Sequence, residues 1–256
     1  MQTVVLCGGK ATRLYPLTKK IPKSLMRIAG KPFLEYQLNL LKKNGISDIV
    51  LCIGYKGEQI KKYFKDGKNF GVKIRYSSDG KKLLGTGGAL KKAEDLLEDI
   101  FLVMWGDSYL PFNFQKAIKF FKKSNKSRTL LAQGMLPNRS KLRGIRKVRD
   151  KLGMMTVFKN LNKYEPSNVE VKNNLVKSYS KKRKTKKMKY IDYGVSIFKK
   201  EVLKYIPKNQ VYDLTKLQQT LIKKKQLLAY PAEKRFYQIG SPEGLEEFKK
   251  YIILNT

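Results

Sequence analysis

Gly8 and Gly9 follow the apolar run Thr3–Leu6, and Lys10, Arg13 and Lys23 come close behind them. Glycines let a backbone turn sharply and approach a ligand without a Cβ in the way. With convergent fixed cations, they describe a site for a polyphosphate. A second glycine run, Gly85-Thr86-Gly87-Gly88, leads into a helix expected over 90–97. Free amides at the positive end of that helix would favour an anion, with a flexible hairpin as the alternative. Asp107 stands behind Gly106, just past the apolar run Ile100–Trp105. A carboxylate there can hold a metal against a phosphate, with a turn or helix cap as the plainer role. The chain has no histidine. A histidine base and a Cys/His zinc site are therefore excluded.

These residues need a scaffold that brings strand ends together. Apolar runs at 3–6, 49–53, 72–76 and 100–105 read as buried strands. Helical spacing marks 33–44, stopped by Gly45, and a segment presenting Ile60, Tyr63 and Phe64 on one face. Strand–helix alternation predicts a parallel sheet covered on both faces, with ligands at the carboxyl ends of its strands. Further along, 113–123 reads as a helix and 153–158 as a strand. A hairpin spans 169–171 and 175–179, and Lys181–Lys189 is a basic loop. The strand 190–198 is expected to be interrupted by Asp192-Tyr193-Gly194. Helices follow at 199–205 and 213–223, the second with Asp213 near its cap, then strands at 227–230 and 236–239. Pro242 opens a last amphipathic helix.

At 256 residues with 41% hydrophobic content, the chain can bury one sizeable core. No apolar run approaches the ~20 residues of a membrane span and no charged-then-apolar leader opens it, so a soluble cytoplasmic protein without membrane contact is expected. Cys7 and Cys52 fall on predicted interior strands, where packing is a better account than a disulfide. The net charge of +36 suits a polyphosphate, nucleic acid or an anionic membrane surface. Lysine is dispersed, but five of the ten arginines (Arg128, Arg139, Arg143, Arg146 and Arg149) crowd into 126–151. Removing that piece would join Asn125 to the next strand by a normal short connection. It therefore reads as a basic in-frame insertion. A nucleic-acid-binding arm is the sharper alternative, but the stretch carries no aromatics for base stacking.

Taken together, the motifs resemble those of the sugar-1-phosphate nucleotidyltransferases. The family's glycine loop appears as Gly8-Gly9-Lys10-Ala11-Thr12-Arg13-Leu14, followed by Pro16-Leu17-Thr18, Pro22-Lys23 and Lys31-Pro32. Its second loop appears as Gly85-Thr86-Gly87-Gly88-Ala89 and its acidic pair as Gly106-Asp107. The sugar-pocket strand and the late turn match Asp192-Tyr193-Gly194 and Ile239-Gly240-Ser241-Pro242-Glu243. The spacing fits neither a Walker A loop nor a dinucleotide fingerprint.

The resemblance implies an α/β protein with the nucleotide-diphospho-sugar transferase fold: a Rossmann-like three-layer α/β/α sandwich with a mixed, mostly parallel sheet, forming one domain over 1–256. It implies condensation of a nucleoside triphosphate with a sugar 1-phosphate, releasing pyrophosphate, with Mg²⁺ as cofactor. Arg13, Lys23 and Asp107 would be catalytic. Leu6, Gly8, Gly9, Gly85, Thr86, Gly87 and Gly88 would frame the nucleotide. Lys181, Asp192 and Gly194 would meet the sugar phosphate, with Lys182, Arg183 and Lys184 competing for the lysine's place. Asp107 and Gln238 would face the metal. The wording at 190–194 and 236–245 is closest to the branch that activates heptose or mannose phosphates with GTP. Uridylyl, thymidylyl and cytidylyl transfer stay open, as does oligomeric state, a homo-oligomer included.

Two departures stand out. Ala11 replaces a glycine, and Gln238 stands where the family often has a carboxylate, which predicts weaker Mg²⁺ affinity. A nucleic-acid-binding protein on this scaffold and a catalytically impaired transferase are the competing readings.

Overall fold

The computed structural model describes residues 1–132 and 151–255. In chain order it runs β1 (Gln2–Leu6), α1 (Leu17–Lys20), β2 (Arg27–Ile28), β3 (Lys31–Pro32), α2 (Phe33–Lys43), β4 (Asp48–Ile53), α3 (Gly57–Phe64) and β5 (Lys73–Ser78). There follow α4 (Gly85–Lys92), β6 (Ile100–Trp105), β7 (Ser108–Tyr109), α5 (Phe114–Ala132), β8 (Gly153–Lys159), β9 (Val169–Lys172) and β10 (Leu175–Tyr179). The chain closes with β11 (Tyr190–Lys199), α6 (Leu214–Lys223), β12 (Leu227–Ala232), β13 (Tyr237–Gln238) and α7 (Pro242–Asn255).

Among the described residues the main sheet has the order β5-β4-β1-β6-β11-β8-β12-β10-β9. Its first half, β5-β4-β1-β6, is parallel; β11 then enters antiparallel to β6 and β8, and β12 is again parallel to β8. Alternate residues of each strand serve opposite faces. Val5, Ile49, Leu51 and Met104 pack with α2, α3 and α5, while Val4, Val50, Cys52 and Val103 pack with α4 and α6. This is the three-layer α/β/α sandwich. Cys7 and Cys52 belong to opposite layers, both buried and free, and burial pushes the Cys7 thiol up to about 12.

Local signals account for three helix ends. Gly45, with φ +71, stops α2 beyond Asn44. Asp213 caps α6 by accepting from the Thr215 amide at 2.7 Å. Pro242 takes the first position of α7, where its missing N–H costs nothing. That helix covers a third apolar cluster, Ile28, Phe33, Ile239, Phe248 and Ile252, tying the late turn back to α2.

Three expectations need correction. The glycine run is not a loop before a helix but the first turns of α4 itself. The strand at 190–198 is not interrupted: β11 is continuous, with a bulge between Asp192 and Ser196 that holds Gly194 at φ +97. The helix expected over 113–123 extends to Ala132, so the basic stretch 126–151 begins as a continuation of that helix. Its residues 133–150, with four of the clustered arginines, lie outside the described residues, as does the nucleic-acid reading built on them. The two flanks of the stretch meet, since the Lys151 amide donates to Asn125 Oδ1 at 3.0 Å.

Candidate active site

A cavity of about 430 Å³ opens at the carboxyl ends of β1, β4, β5 and β6. This is the crevice where an open parallel sheet takes its ligand. Its floor is the glycine loop. A Cβ on Gly8 would stand 3.1 Å from the Gly54 amide, so any side chain there would press the loop off the end of β4 by a few tenths of an ångström. The Tyr55 amide donates to the Gly8 carbonyl at 2.9 Å and fixes that approach. A Cβ on Gly9 would meet nothing within 4 Å, so that side of its backbone is open, and Gly9 lines the cavity. Ala11 sits at φ 52, in the left-handed region, which is why glycine is the easier residue there. Its carbonyl accepts from the Thr18 hydroxyl at 2.9 Å.

One end of the cavity is electrostatic. Lys23 Nζ pairs with Asp107 Oδ2 at 2.7 Å, both only partly exposed. Burial alone would raise the Asp107 pKa, but the Lys23 charge and hydrogen bond, the Ser108 hydroxyl and the Arg13 charge outweigh it and hold the carboxyl below its ordinary range. Position is fixed by the backbone: the Ile239 amide donates to the Asp107 carbonyl at 2.9 Å, and β7 pairs with β13. Gly106 is obligatory, because a Cβ there would meet the Leu6 carbonyl oxygen at 2.5 Å. The late turn presses on the same cluster; a Cβ on Gly240 would stand 3.1 Å from Arg13 Nη2 and 3.4 Å from Asp107 Oδ2.

Gln238 lines this end, but its amide oxygen accepts from the Gly240 amide and its Nε2 donates to Ser241 Oγ at 3.4 Å. It braces the turn instead of offering a free oxygen to a metal. Among the described residues no group of three His, Cys, Asp or Glu side chains converges as a metal cage. Glu165, which sequence reasoning did not single out, supplies a second carboxylate to the cavity. Burial pushes its pKa up, and the neighbouring Asp107 charge adds to that against Arg13 and Lys184.

The opposite wall comes from the second half of the sheet. Asp192 is half-buried and satisfied: Tyr179 Oη donates to Oδ2 and the Gly194 amide to Oδ1, each at 3.0 Å. Burial raises its pKa against those hydrogen bonds, the Trp105 side chain and the Lys181 charge. Lys181 Nζ lies 4.7 Å over the Trp105 ring and lines the cavity, while Lys184 Nζ turns back to the Ser180 carbonyl at 3.1 Å. That separates two lysines which the sequence left in competition.

Of the residues singled out from the sequence, Leu6, Gly8, Gly9, Arg13, Lys23, Gly85, Thr86, Asp107, Lys181, Asp192 and Gln238 share this one space. Gly87, Gly88 and Gly194 do not line it. The amides of Gly87 and Gly88 donate to the Tyr212 carbonyl at 2.8 and 3.1 Å, so they are taken and not free for an anion. Gly194 packs behind the wall, where a Cβ would stand 2.9 Å from Trp105 Cδ1.

The family model described as nucleotidyl transferase matches residues 2–253. A D-glycero-alpha-D-manno-heptose 1-phosphate guanylyltransferase of Campylobacter jejuni is 33% identical over 97% of this chain and 98% of its own. A UTP--glucose-1-phosphate uridylyltransferase of Synechocystis is 30% identical over 84% of this chain, which spans about half of that protein's length (53%). The crystal structure of HddC from Yersinia pseudotuberculosis complexed with GMP-PN superimposes with a TM-score of 0.73, covering 98% of this chain and 99% of that one at 22% identity.

Proposed function

Because the chain belongs to the sugar-1-phosphate nucleotidyltransferase family, we propose that it condenses a nucleoside triphosphate, GTP by preference, with a heptose- or mannose-type sugar 1-phosphate. The products are an NDP-sugar for polysaccharide or lipopolysaccharide assembly and pyrophosphate. One observation carries the reading. A single cavity joins an open glycine backbone, the Arg13–Lys23–Asp107 charge cluster and a wall of polar groups on the second half of the sheet. The heptose and GTP preference rests on the full-length likeness to the Campylobacter relative. Soluble substrates suit the cytoplasm, and among the described residues no helix is long and apolar enough to cross a membrane.

In this mechanism a phosphate oxygen of the sugar 1-phosphate attacks the α-phosphorus. The bond from that phosphorus to the bridging oxygen breaks, and pyrophosphate leaves with the electron pair. The attacking oxygen is already an anion, which suits a chain without histidine. Catalysis is then positioning and charge neutralisation. Arg13 and Lys23 neutralise the triphosphate and the leaving group. Lys181 receives the sugar phosphate, and Leu6, Gly8, Gly9, Gly85 and Thr86 frame the nucleoside. Asp192 holds Tyr179 and the 194 amide in place at the sugar end.

A divalent cation such as Mg²⁺ binds through one or two carboxylates plus substrate phosphates and water. The donor set here fits that pattern, with Asp107 the carboxylate that would hold it and Gln238 contributing at most a shared amide oxygen. When bound, the ion supplies charge neutralisation at the α-phosphate. The test is a pyrophosphate-release panel of four nucleoside triphosphates against mannose, heptose, glucose and N-acetylhexosamine 1-phosphates. Release that requires a sugar 1-phosphate supports the reading, and release from none of the pairs removes it.

A further inference from the structure

The buried stripe of α2 runs through Phe33, Leu34, Leu38 and Leu41, and Gln37 stands in the middle of it, 0% exposed. An apolar side chain would suit that stripe, whereas a buried amide needs hydrogen-bond partners. Gln37 finds them on another segment. Its Nε2 donates to the Trp105 carbonyl at 2.9 Å and to the Ser108 carbonyl at 2.8 Å, so both hydrogens of one nitrogen are used. Backbone carbonyls need partners wherever strand pairing stops, and the last register pair of β6 with β11 is Met104 with Val195. Gln37 Oε1 is buried with no hydrogen-bond partner, so the side chain is held by its donors alone.

We infer that Gln37 is a positioning residue, its amide clamping the two carbonyls that flank Gly106-Asp107 and thereby fixing the Asp107 carboxylate against the reacting centre. The inference rests on the nucleotidyl-transfer reading and adds a residue that acts through Asp107 without touching substrate. The Gly106 amide donates to the Leu6 carbonyl at 3.0 Å and the Ile239 amide to the Asp107 carbonyl at 2.9 Å. Those bonds hold the pair itself, and Gln37 holds the residues on either side. Both of these residues reach into the charge cluster or its surroundings. The Ser108 hydroxyl donates to Asp107 Oδ1 at 3.3 Å, and the Trp105 ring lies under Lys181 Nζ at 4.7 Å. A catalytic group displaced by about 1 Å can cost about a hundredfold in rate.

Gln37→Met keeps the length of the side chain and removes both donors. With Mg²⁺, GTP and mannose 1-phosphate or heptose 1-phosphate, it should lower kcat for pyrophosphate release about thirtyfold. GTP affinity by isothermal titration calorimetry should stay within about twofold, since a misplaced reacting group acts on the transition state more than on ground-state binding. Gln218 supplies a matched control. It is equally buried, its Nε2 donates to Ser196 Oγ at 3.4 Å and its Oε1 also lacks a partner. Gln218→Met should lower the denaturant midpoint and leave kcat unchanged. Gln37→Asn, one methylene shorter, keeps a polar group near the carbonyls and carries the test if Gln37→Met does not fold; its kcat should fall as well. Full kcat in a folded Gln37→Met or Gln37→Asn overturns the inference. So does a kcat loss of equal size in Gln218→Met, or a GTP affinity that falls by the same factor as kcat. A wild type that releases no pyrophosphate removes the transfer reading and this inference with it, while an active wild type beside a fully active variant removes only the role of Gln37.

Discussion

Two carboxylates line one cavity and are treated in opposite ways. Asp107 is surrounded: Lys23 at 2.7 Å, the Ser108 hydroxyl and the Arg13 charge keep it ionised despite burial. Asp79 has one amide on Oδ2 and nothing on Oδ1, and burial leaves it reluctant to ionise. The first is prepared before any ligand arrives, as electrostatic preorganisation demands of a group that must face developing charge. The second has only that amide and the Lys92 charge to set against burial, and burial prevails.

The largest expected effect separates the two carboxylates by kinetics. Asp107→Asn should lower kcat by about a thousandfold with every triphosphate, since it strips charge from the reacting centre. Asp79, whose hydrogen bond runs to the Leu84 amide, carries no charge pair at the reacting centre, and Asp79→Asn should cost far less kcat. Equal kcat losses in both variants would break the distinction. Next comes the scaffold. Gly106→Ala drives a Cβ toward the Leu6 carbonyl oxygen, where it would stand at 2.5 Å, and should cost about 2–3 kcal/mol by denaturant unfolding. A neutral result would mean that the Asp107 end is looser than drawn.

Acid titration sharpens the same contrast. The Asp107 pKa is lowered on folding, so its stabilisation is present above the ordinary carboxyl pKa and is lost as pH falls through the lowered value. The melting-temperature gap between wild type and Asp107→Asn should therefore shrink on acidification. The Asp79 pKa is raised, so the native state binds its proton more tightly and wild type gains on Asp79→Asn as pH falls through the raised value. Gaps that move in the same direction would contradict the assignment. The smallest effect belongs to Ala11→Gly, which relieves a left-handed alanine at φ 52 and should stabilise by about 0.5–1 kcal/mol in thermal unfolding.

The sequence made the charged end legible because its parts are local. Gly8, Gly9, Arg13 and Lys23 follow one strand, and Asp107 ends another that reads as a purely apolar run. The glycine run at 85–88 was misleading for the opposite reason. Glycine argues against helix, yet the Tyr212 carbonyl accepts from two of its amides and a Cβ on Gly88 would stand 2.5 Å from the Gln210 carbonyl oxygen. That partner lies on a distant stretch with no local signature. Asp79, Glu165, Tyr179 and Trp105 were invisible for the same reason: each is ordinary in its own segment and acquires meaning only where the fold sets β5, β6, β10 and the connection between β8 and β9 around one space. Gln238 was legible as a departure. What its amide does instead, bracing the turn at Gly240, required coordinates.

The central claim is transfer of a nucleotidyl group to a sugar phosphate, and an α-³²P label follows that group directly. Incubated with Mg²⁺, GTP labelled at the α-phosphate and either mannose 1-phosphate or heptose 1-phosphate, the protein should move the label into a nucleotide-sugar and release unlabelled pyrophosphate. Asp107→Asn should leave the label in GTP. Label that stays in GTP with the wild-type chain, or appears as GDP or GMP regardless of sugar phosphate, would contradict the account.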